Sequence, residues 1–172
     1  MTNIKRIHNR IHKHVTTHLT TILKYAVLAL SLTLSATLQA KSMNDSSQLQ
    51  KLSKSQIECL SINAYMEARG EGEKGMLGTI FVVLNRTKDS RFPSTPCKVI
   101  AQKNQFVWYG KGKTIKEPEM YDKAKELVYE VIEGKHKDFT RGALYFVHVK
   151  TNTNWLKKST HTCTIGNHKF FK

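Results

Sequence analysis

The sequence has few acidic residues and lacks the signatures of several common enzyme classes. Among its 172 residues, 28 Lys and Arg stand against 13 Asp and Glu, a formal net charge of +15. It contains no Gly-x-Ser-x-Gly elbow, which argues against a serine nucleophile. No internal repeat is visible. The spacings among His148, His161, Cys163 and His168 match no common zinc signature, so we predict no metal site.

The sequence also lacks an apolar run long enough to span a bilayer comfortably. Residues 25–38 are nearly all apolar or small, but such a run of about 14 residues is short for a permanent membrane helix. It follows a leader with five basic residues and no acidic one. With Leu38-Gln39-Ala40 or Ala40-Lys41-Ser42 as the cleavage motif, residues 1–40 are predicted to be a secretory signal peptide. A retained membrane anchor is the alternative, because the leader is long and the cleavage motif imperfect.

Removal of residues 1–40 leaves 23 basic and 13 acidic residues, a net charge of +10. Such a charge predicts an anionic partner, which could be nucleic acid, an acidic membrane face or an acidic cell-wall polymer. Export to the periplasm, cell wall or exterior favours the cell-wall polymer. Nucleic-acid binding is disfavoured, because no recognised module is present. A role in solubility alone explains the size of the charge less well than these three partners do.

Three cysteines leave one unpaired if a disulfide forms in an oxidising compartment. Their spacing does not determine the pairing. We favour Cys59 with Cys97, because Cys59 precedes the end of a predicted helix and Cys97 opens a short helix expected to pack nearby. Cys163 would then be the free thiol.

Periodicity predicts a domain over residues 54–172, preceded by a polar linker over 41–53. Helices are expected at about 55–69, 76–86, 96–103 and 119–133, the second of them apolar on nearly every side and therefore central. Asn85 and Arg86 emerge at its end, where capping and surface charge are their expected roles. Residues 143–149 and 162–171 are strand-like, the latter broken by a turn at Gly166-Asn167. The fold class is therefore α+β, mainly helical with a small antiparallel sheet in the C-terminal third.

Glu67 is out of place in the first of these helices. It follows Leu60 by seven residues and Ala64 by three, so it projects from the apolar face, and it lies in the last turn. Desolvation and the helix dipole both oppose its ionisation and should raise its pKa, as a general acid near neutrality requires. The alternative is a side chain that reaches solvent or caps a neighbouring loop.

A second unusual stretch, Gln105-Phe106-Val107-Trp108-Tyr109, sets an amide among aromatic residues. Aromatic faces beside polar amides are typical of sugar sites, where rings stack on apolar faces and amides bond hydroxyl and acetamido groups. The same residues could form core, which is the more frequent role for a residue such as Phe106 and the less frequent one for Trp108.

Six blocks of residues carry a resemblance to a known family. They are Cys59-Leu60 with Tyr65-Met66-Glu67-Ala68-Arg69-Gly70-Glu71; Val83-Leu84-Asn85-Arg86; Phe92-Pro93 with Cys97; Gln105-Phe106-Val107-Trp108; Gly142-Ala143-Leu144-Tyr145-Phe146 with Trp155; and Ile165-Gly166-Asn167-His168-Lys169-Phe170. In this order, over about residues 55–171, the chain resembles the cell wall hydrolase family of the spore cortex-lytic enzymes. It departs from the family at Asn104, Val107 and Asn154, where Cys, Ser and Pro are usual.

The resemblance implies a compact, lysozyme-like catalytic domain that cleaves the glycan strand of peptidoglycan, without metal or organic cofactor. Glu67 corresponds to the catalytic acid. The residues expected to position or stack on the sugar are Gln105, Phe106, Trp108, Tyr145, Trp155 and His168. Some members of the family are lytic transglycosylases. A hydrolytic muramidase or glucosaminidase and a non-catalytic peptidoglycan-binding module are the alternatives, and a monomer is expected.

A glycosidase of the two-carboxylate type needs a second Asp or Glu about 5 to 9.5 Å from the acid. The nearby candidates, Glu71 and Glu73, lie on a turn where they are expected to be solvated. A transglycosylase avoids the requirement, because one glutamate can act first as acid and then as base. The sequence therefore favours transglycosylation with Glu67 as the only catalytic carboxylate.

Overall fold

The computed structural model describes residues 24, 26, 52–103, 105–106, 108–109 and 114–172. The chain divides into two units, residues 1–47 and residues 48–172, and the elements below belong to the second. Apart from Lys24 and Ala26, which are helical, the predicted signal peptide or anchor lies outside the described residues, as does most of the predicted linker. Within the described part of the chain, no helix combines the length and apolarity needed to cross a membrane.

Among the described residues of the second unit, four α-helices and two short 3-10 helices make up about half. The α-helices are α1 (Lys54–Ala68), α2 (Gly72–Lys88), α3 (Pro96–Ile100) and α4 (Pro118–Ile132), and the 3-10 segments are Arg69–Glu71 and Asn154–Lys158. All four predicted helices are present, with two corrections. Helix α2 begins at Gly72 and not near residue 76, so Glu73 lies in its first turn and not in a connecting turn, and α3 ends at Ile100 and not near residue 103. Ser53 starts α1 through a capping box with Gln56, which satisfies backbone donors at the helix N-terminus.

Helix α2 is the central helix, as its apolar sequence predicts. Its buried residues include Met76, Ile80, Val82 and Val83, and it packs against α1, α3, α4 and the sheet. Asn85 is not a surface cap. Its Nδ2 donates to Asp138 Oδ2 at 2.9 Å and to the Ala143 carbonyl at 3.1 Å, which ties the end of α2 to the segment before the sheet.

The sheet has three antiparallel strands, β1 (Tyr145–His148), β2 (His161–Ile165) and β3 (His168–Phe171), in the order β1-β3-β2. It packs closely on α2: a Cβ added to Gly78 would lie 2.6 Å from Cζ of Phe170. The predicted α+β class is therefore confirmed, with helices gathered first and a small sheet in the C-terminal third.

A disulfide joins Cys59 of α1 to Cys97 of α3, with a Cα–Cα distance of 5.4 Å. The pair is the one favoured from the sequence. Cys163 on β2 is a free, half-buried thiol. The bond ties α3 to the helix that carries Glu67.

Candidate active site

Glu67 lies in the last turn of α1, between two buried residues of the helix, Ala64 and Ala68. Burial removes water from its carboxyl group and raises its pKa from 4.5 to about 7. The indole N–H of Trp108 acts in the opposite direction and lowers this pKa. Glu67 is therefore a carboxyl group that can both hold and release a proton near neutral pH.

The Trp108 indole N–H has no partner among the described residues that meets the distance and angle of a hydrogen bond. Its ring packs against the main hydrophobic core and meets Tyr109 edge-on at 5.8 Å. The indole N–H therefore lies near enough to Glu67 to lower its pKa, but not in the geometry of a well-formed hydrogen bond. Trp108 faces the carboxyl group and lines neither of the two cavities described below.

One of two cavities beside Glu67, here called the aromatic cavity, has a volume of about 390 Å³. It is lined by Glu67, Arg86, Gln105, Phe106, Tyr145, Phe146 and Trp155. Trp155 is 41 % exposed, and its ring packs against Tyr145 at 5.5 Å, so one large apolar ring is open to a ligand. The cavity thus combines an acid, a cation, an amide and several aromatic rings, as the sites that bind sugars do.

The second cavity, here called the carboxylate cavity, has a volume of about 370 Å³. Its lining residues are Met66, Glu67, Arg69, Gly70, Glu71, Glu117 and Met120. Glu67 belongs to both cavities. A chain-like ligand that filled both would therefore pass directly over its carboxyl group.

The other carboxylates of this region are already engaged. Glu71 accepts hydrogen bonds from the backbone N–H of Asn167 at 2.7 Å and from Asn167 Nδ2 at 3.1 Å, which lower its pKa. Glu117 forms an ion pair with Arg69 Nε at 2.8 Å. Glu73 pairs with Lys123 at 3.4 Å. The pKa of Glu67 is thus raised, whereas that of Glu71 is lowered.

Glu117 is held beside α1 by Tyr65. The backbone N–H groups of Lys116 and Glu117 both donate to the Tyr65 hydroxyl oxygen at 3.1 Å. Tyr65 is itself buried, so it fixes the start of α4 against the helix that carries Glu67. Sequence reasoning missed Glu117 as a lining residue, since it lies far along the chain and has no distinctive local pattern.

The structure brings five of the predicted site residues to the aromatic cavity, namely Glu67, Gln105, Phe106, Tyr145 and Trp155. His168 is not among the lining residues of either cavity. Its ring packs at 5.1 Å from Phe146, and burial lowers its pKa. His168 therefore supports the cavity wall from behind.

Two lining residues of the aromatic cavity, Arg86 and Phe146, were not predicted. Arg86 is not a surface charge: it is 5 % exposed, and its Nε donates to the Leu144 carbonyl at 2.6 Å. The residue block that ends in Arg86 was the only signal in the sequence that could have pointed to it. Among the described residues, no three His, Cys, Asp or Glu side chains cluster closely enough to hold a metal ion.

An acid with a pKa near neutrality, placed between a sugar-sized aromatic cavity and a second polar cavity, defines a candidate site of the glycoside-cleaving class. The chain belongs to the cell wall hydrolase family, whose sequence model matches residues 70–171. That match begins three residues after Glu67.

Two curated relatives carry the name spore cortex-lytic enzyme. The protein of Oceanobacillus iheyensis is 34% identical over 124 residues, which cover 72% of this chain and 44% of the relative. The protein of Bacillus subtilis is 31% identical over 119 residues, which cover 69% of this chain and 38% of the relative. The chain thus spans less than half the length of these relatives.

Two solved structures are similar to this chain over most of their own length. The catalytic domain of the germination-specific lytic transglycosylase SleB from Bacillus anthracis matches with a TM-score of 0.62 and 29% identity, covering 71% of this chain and 98% of that domain. The catalytic domain of the SleB protein from Bacillus cereus gives 0.61 and 31%, covering 70% and 91%. The predicted family and the lysozyme-like catalytic-domain fold are therefore confirmed.

Proposed function

We propose that this protein cleaves the glycan strand of peptidoglycan as a lytic transglycosylase, with Glu67 as both acid and base. The observation that carries the proposal is the position of Glu67, whose pKa of about 7 lies in the range for proton transfer in both directions and which lines both cavities. Relatives named as cortex-lytic enzymes and a solved catalytic domain named as a lytic transglycosylase support it.

In the first step, the protonated Glu67 donates its proton to the glycosidic oxygen between N-acetylmuramic acid and N-acetylglucosamine. The bond from the anomeric carbon to that oxygen breaks, and positive charge develops on the muramoyl ring. In the second step, the Glu67 carboxylate takes the proton from the muramoyl 6-hydroxyl. The 6-oxygen then bonds to the anomeric carbon, which closes a 1,6-anhydro ring and restores the protonated acid without consuming water.

The state of the neighbouring carboxylates supports this assignment over a two-carboxylate hydrolase. Glu71 is bound to Asn167 and Glu117 is paired with Arg69, so using either as a nucleophile or base would require breaking these contacts. A single acid that alternates between two protonation states needs no such partner. A hydrolytic muramidase or glucosaminidase remains the second candidate, and it would leave reducing ends.

We further propose that the aromatic cavity binds one sugar ring, with Tyr145 and Trp155 as apolar surfaces and Gln105 as a polar contact. The net charge of +10 in residues 41–172 would favour contact with anionic wall polymer outside the cytoplasm. Export through a signal peptide over residues 1–40 belongs to this proposal.

The test is digestion of purified peptidoglycan by the wild-type protein and by Glu67→Gln. We expect the variant to bind sacculi but release no fragments. Glu73→Gln, which removes an exposed carboxylate on the next helix, is the matched control and should retain activity. Mass spectrometry of the wild-type products should find anhydro ends. Reducing ends would favour hydrolysis, and binding without any release by the wild type would favour a non-catalytic module.

A further inference from the structure

Arg86 is a buried cation, and one of its hydrogen-bond donors has no acceptor among the described residues. It lies near the end of α2 and is 5 % exposed. Its Nε is bound to the Leu144 carbonyl, but its buried Nη1 has no hydrogen-bond partner among the described residues. No carboxylate of the described residues forms an ion pair with it. A buried donor without a partner is unfavourable, especially when it carries charge.

Aromatic rings surround the guanidinium on several sides. Its central carbon lies 5.1 Å from the ring centre of Phe92, 5.7 Å from that of Phe106 and 5.5 Å from that of Tyr145. Burial lowers the pKa of Arg86 to about 10, so the group keeps its charge at neutral pH. The rings stabilise the cation, but they accept no conventional hydrogen bond from its N–H groups.

Arg86 also lines the aromatic cavity, so a ligand there would lie against the guanidinium. The cavity offers the three kinds of contact that an acetamido group requires. The guanidinium can donate to its carbonyl oxygen, the Gln105 side chain can accept from its N–H, and the rings of Tyr145 and Trp155 can contact its methyl group. A carboxylate ligand fits less well, since it would place an anion in the cavity that Glu67 lines.

We propose that Arg86 is a substrate-positioning residue that hydrogen-bonds the acetamido carbonyl oxygen of the amino sugar in the aromatic cavity. This inference rests on the proposed glycan substrate. It makes the site selective for N-acetylated strands, because removing the acetyl group would leave the guanidinium without its acceptor. The competing interpretation is that Arg86 serves only to connect α2 to β1 through Leu144.

The test compares kcat/KM on N-acetylated and chemically de-N-acetylated glycan strands of equal length, for the wild type and for Arg86→Lys. Lys keeps the charge, so the general repulsion between a basic protein and an amine-bearing strand cancels when the two proteins are compared. We expect the wild type to prefer acetylated strands by about 10- to 100-fold, the range for one charge-assisted hydrogen bond. In Arg86→Lys the preference should fall to a few-fold, through a loss on acetylated strands. An equal preference in the two proteins would overturn the proposal.

Arg91→Lys is the matched control, because Arg91 is an exposed arginine paired with Asp89. It should keep the wild-type preference. Removing the peptide stem turns the lactyl amide into a carboxylate and leaves the acetamido group unchanged, so a contact between Arg86 and the lactyl group would respond to stem removal and a contact to the acetamido carbonyl would not. If the Arg86-dependent preference followed the stem and not the acetyl group, the assignment would be wrong.

Thermal unfolding reports whether Arg86→Lys folds. A second measurement leaves Arg86 in place. The NMR resonance of its guanidinium is followed in the inactive variant Glu67→Gln while an N-acetylated wall disaccharide, or the de-N-acetylated form of that disaccharide, is added. We expect the Arg86 resonance to shift with the first ligand only, and a shift with neither or equally with both contradicts the proposal. Since this readout needs no turnover, it separates failure of the Arg86 assignment from failure of the proposed activity, which wild-type digestion reports.

Discussion

Replacing Glu67 by Gln should stabilise the protein at pH 8 and have little effect at pH 4. The pKa of Glu67 is raised in the folded protein, from 4.5 to about 7, because burial disfavours the carboxylate. The folded state therefore holds the proton more tightly than the unfolded state, and stability is lost as pH rises from 4.5 through about 7. A raised pKa of this size corresponds to about 3 kcal/mol at 1.36 kcal/mol per unit. Gln carries no charge at any pH and avoids that cost.

The assay is urea unfolding of wild type and Glu67→Gln at several pH values between 4 and 8, with the disulfide intact. The difference in the free energy of unfolding should grow with pH and level off above about pH 7.5, at roughly 2 to 3 kcal/mol in favour of the variant. Glu73→Gln is the control: its carboxylate is exposed in the first turn of α2, so its loss should cost a few tenths of a kcal/mol at pH 8. A difference for Glu67→Gln that is independent of pH, or of opposite sign, would refute the reasoning.

Three further predictions follow from neighbouring contacts. Trp108→Phe keeps a ring but removes the N–H that lowers the pKa of Glu67, so the alkaline limb of the pH–rate profile should move to higher pH; an unmoved limb contradicts this. Replacing both Cys59 and Cys97 by Ser removes a disulfide between residues 38 apart and should lower the free energy of unfolding in urea by about 3 to 4 kcal/mol. A reductant should lower the stability of the wild type but not that of the variant. Gly166→Ala places a residue with a side chain at a positive φ and brings its Cβ against the Glu71 carboxylate, so the free energy of unfolding should fall by about 1 to 2 kcal/mol. Gly70→Ala is the control, because an added Cβ there meets open space, and it should leave the free energy of unfolding nearly unchanged.

The part of the site that could be predicted from the sequence depends on local periodicity. Glu67 was identifiable because Leu60 and Ala64 mark the apolar face of a regular helix, and the structure keeps that helix and buries that face. The raised pKa followed from the same pattern, since burial is its main cause. The hairpin at Gly166-Asn167 was similarly readable from its turn residues.

The part that could not be predicted depends on contacts between distant segments. Arg86 follows a run of apolar residues, so its local pattern predicts an exposed charged residue at the end of a buried helix. What buries it are Leu144 and Tyr145, which precede and open β1, together with rings from other loops. No spacing within α2 contains that information.

Residue type alone also could not tell which aromatic side chain lines the aromatic cavity and which packs on the core. Trp108 and Trp155 were equally good candidates for stacking on a sugar. In the structure Trp155 is an exposed ring of the aromatic cavity, whereas Trp108 packs on the core and lowers the pKa of Glu67. The difference arises from loop paths that the sequence pattern does not determine.

The strand order β1-β3-β2 has a consequence for the order in which the domain can assemble. The last of the three strands along the chain, β3, is the one that both others need as their hydrogen-bonding neighbour. Contacts among the helices can therefore form first, but Tyr145 and Phe146 gain their pairing partners only when residues 168–171 join the sheet. Until then, Glu67 lies on a formed helix beside an incomplete cavity wall.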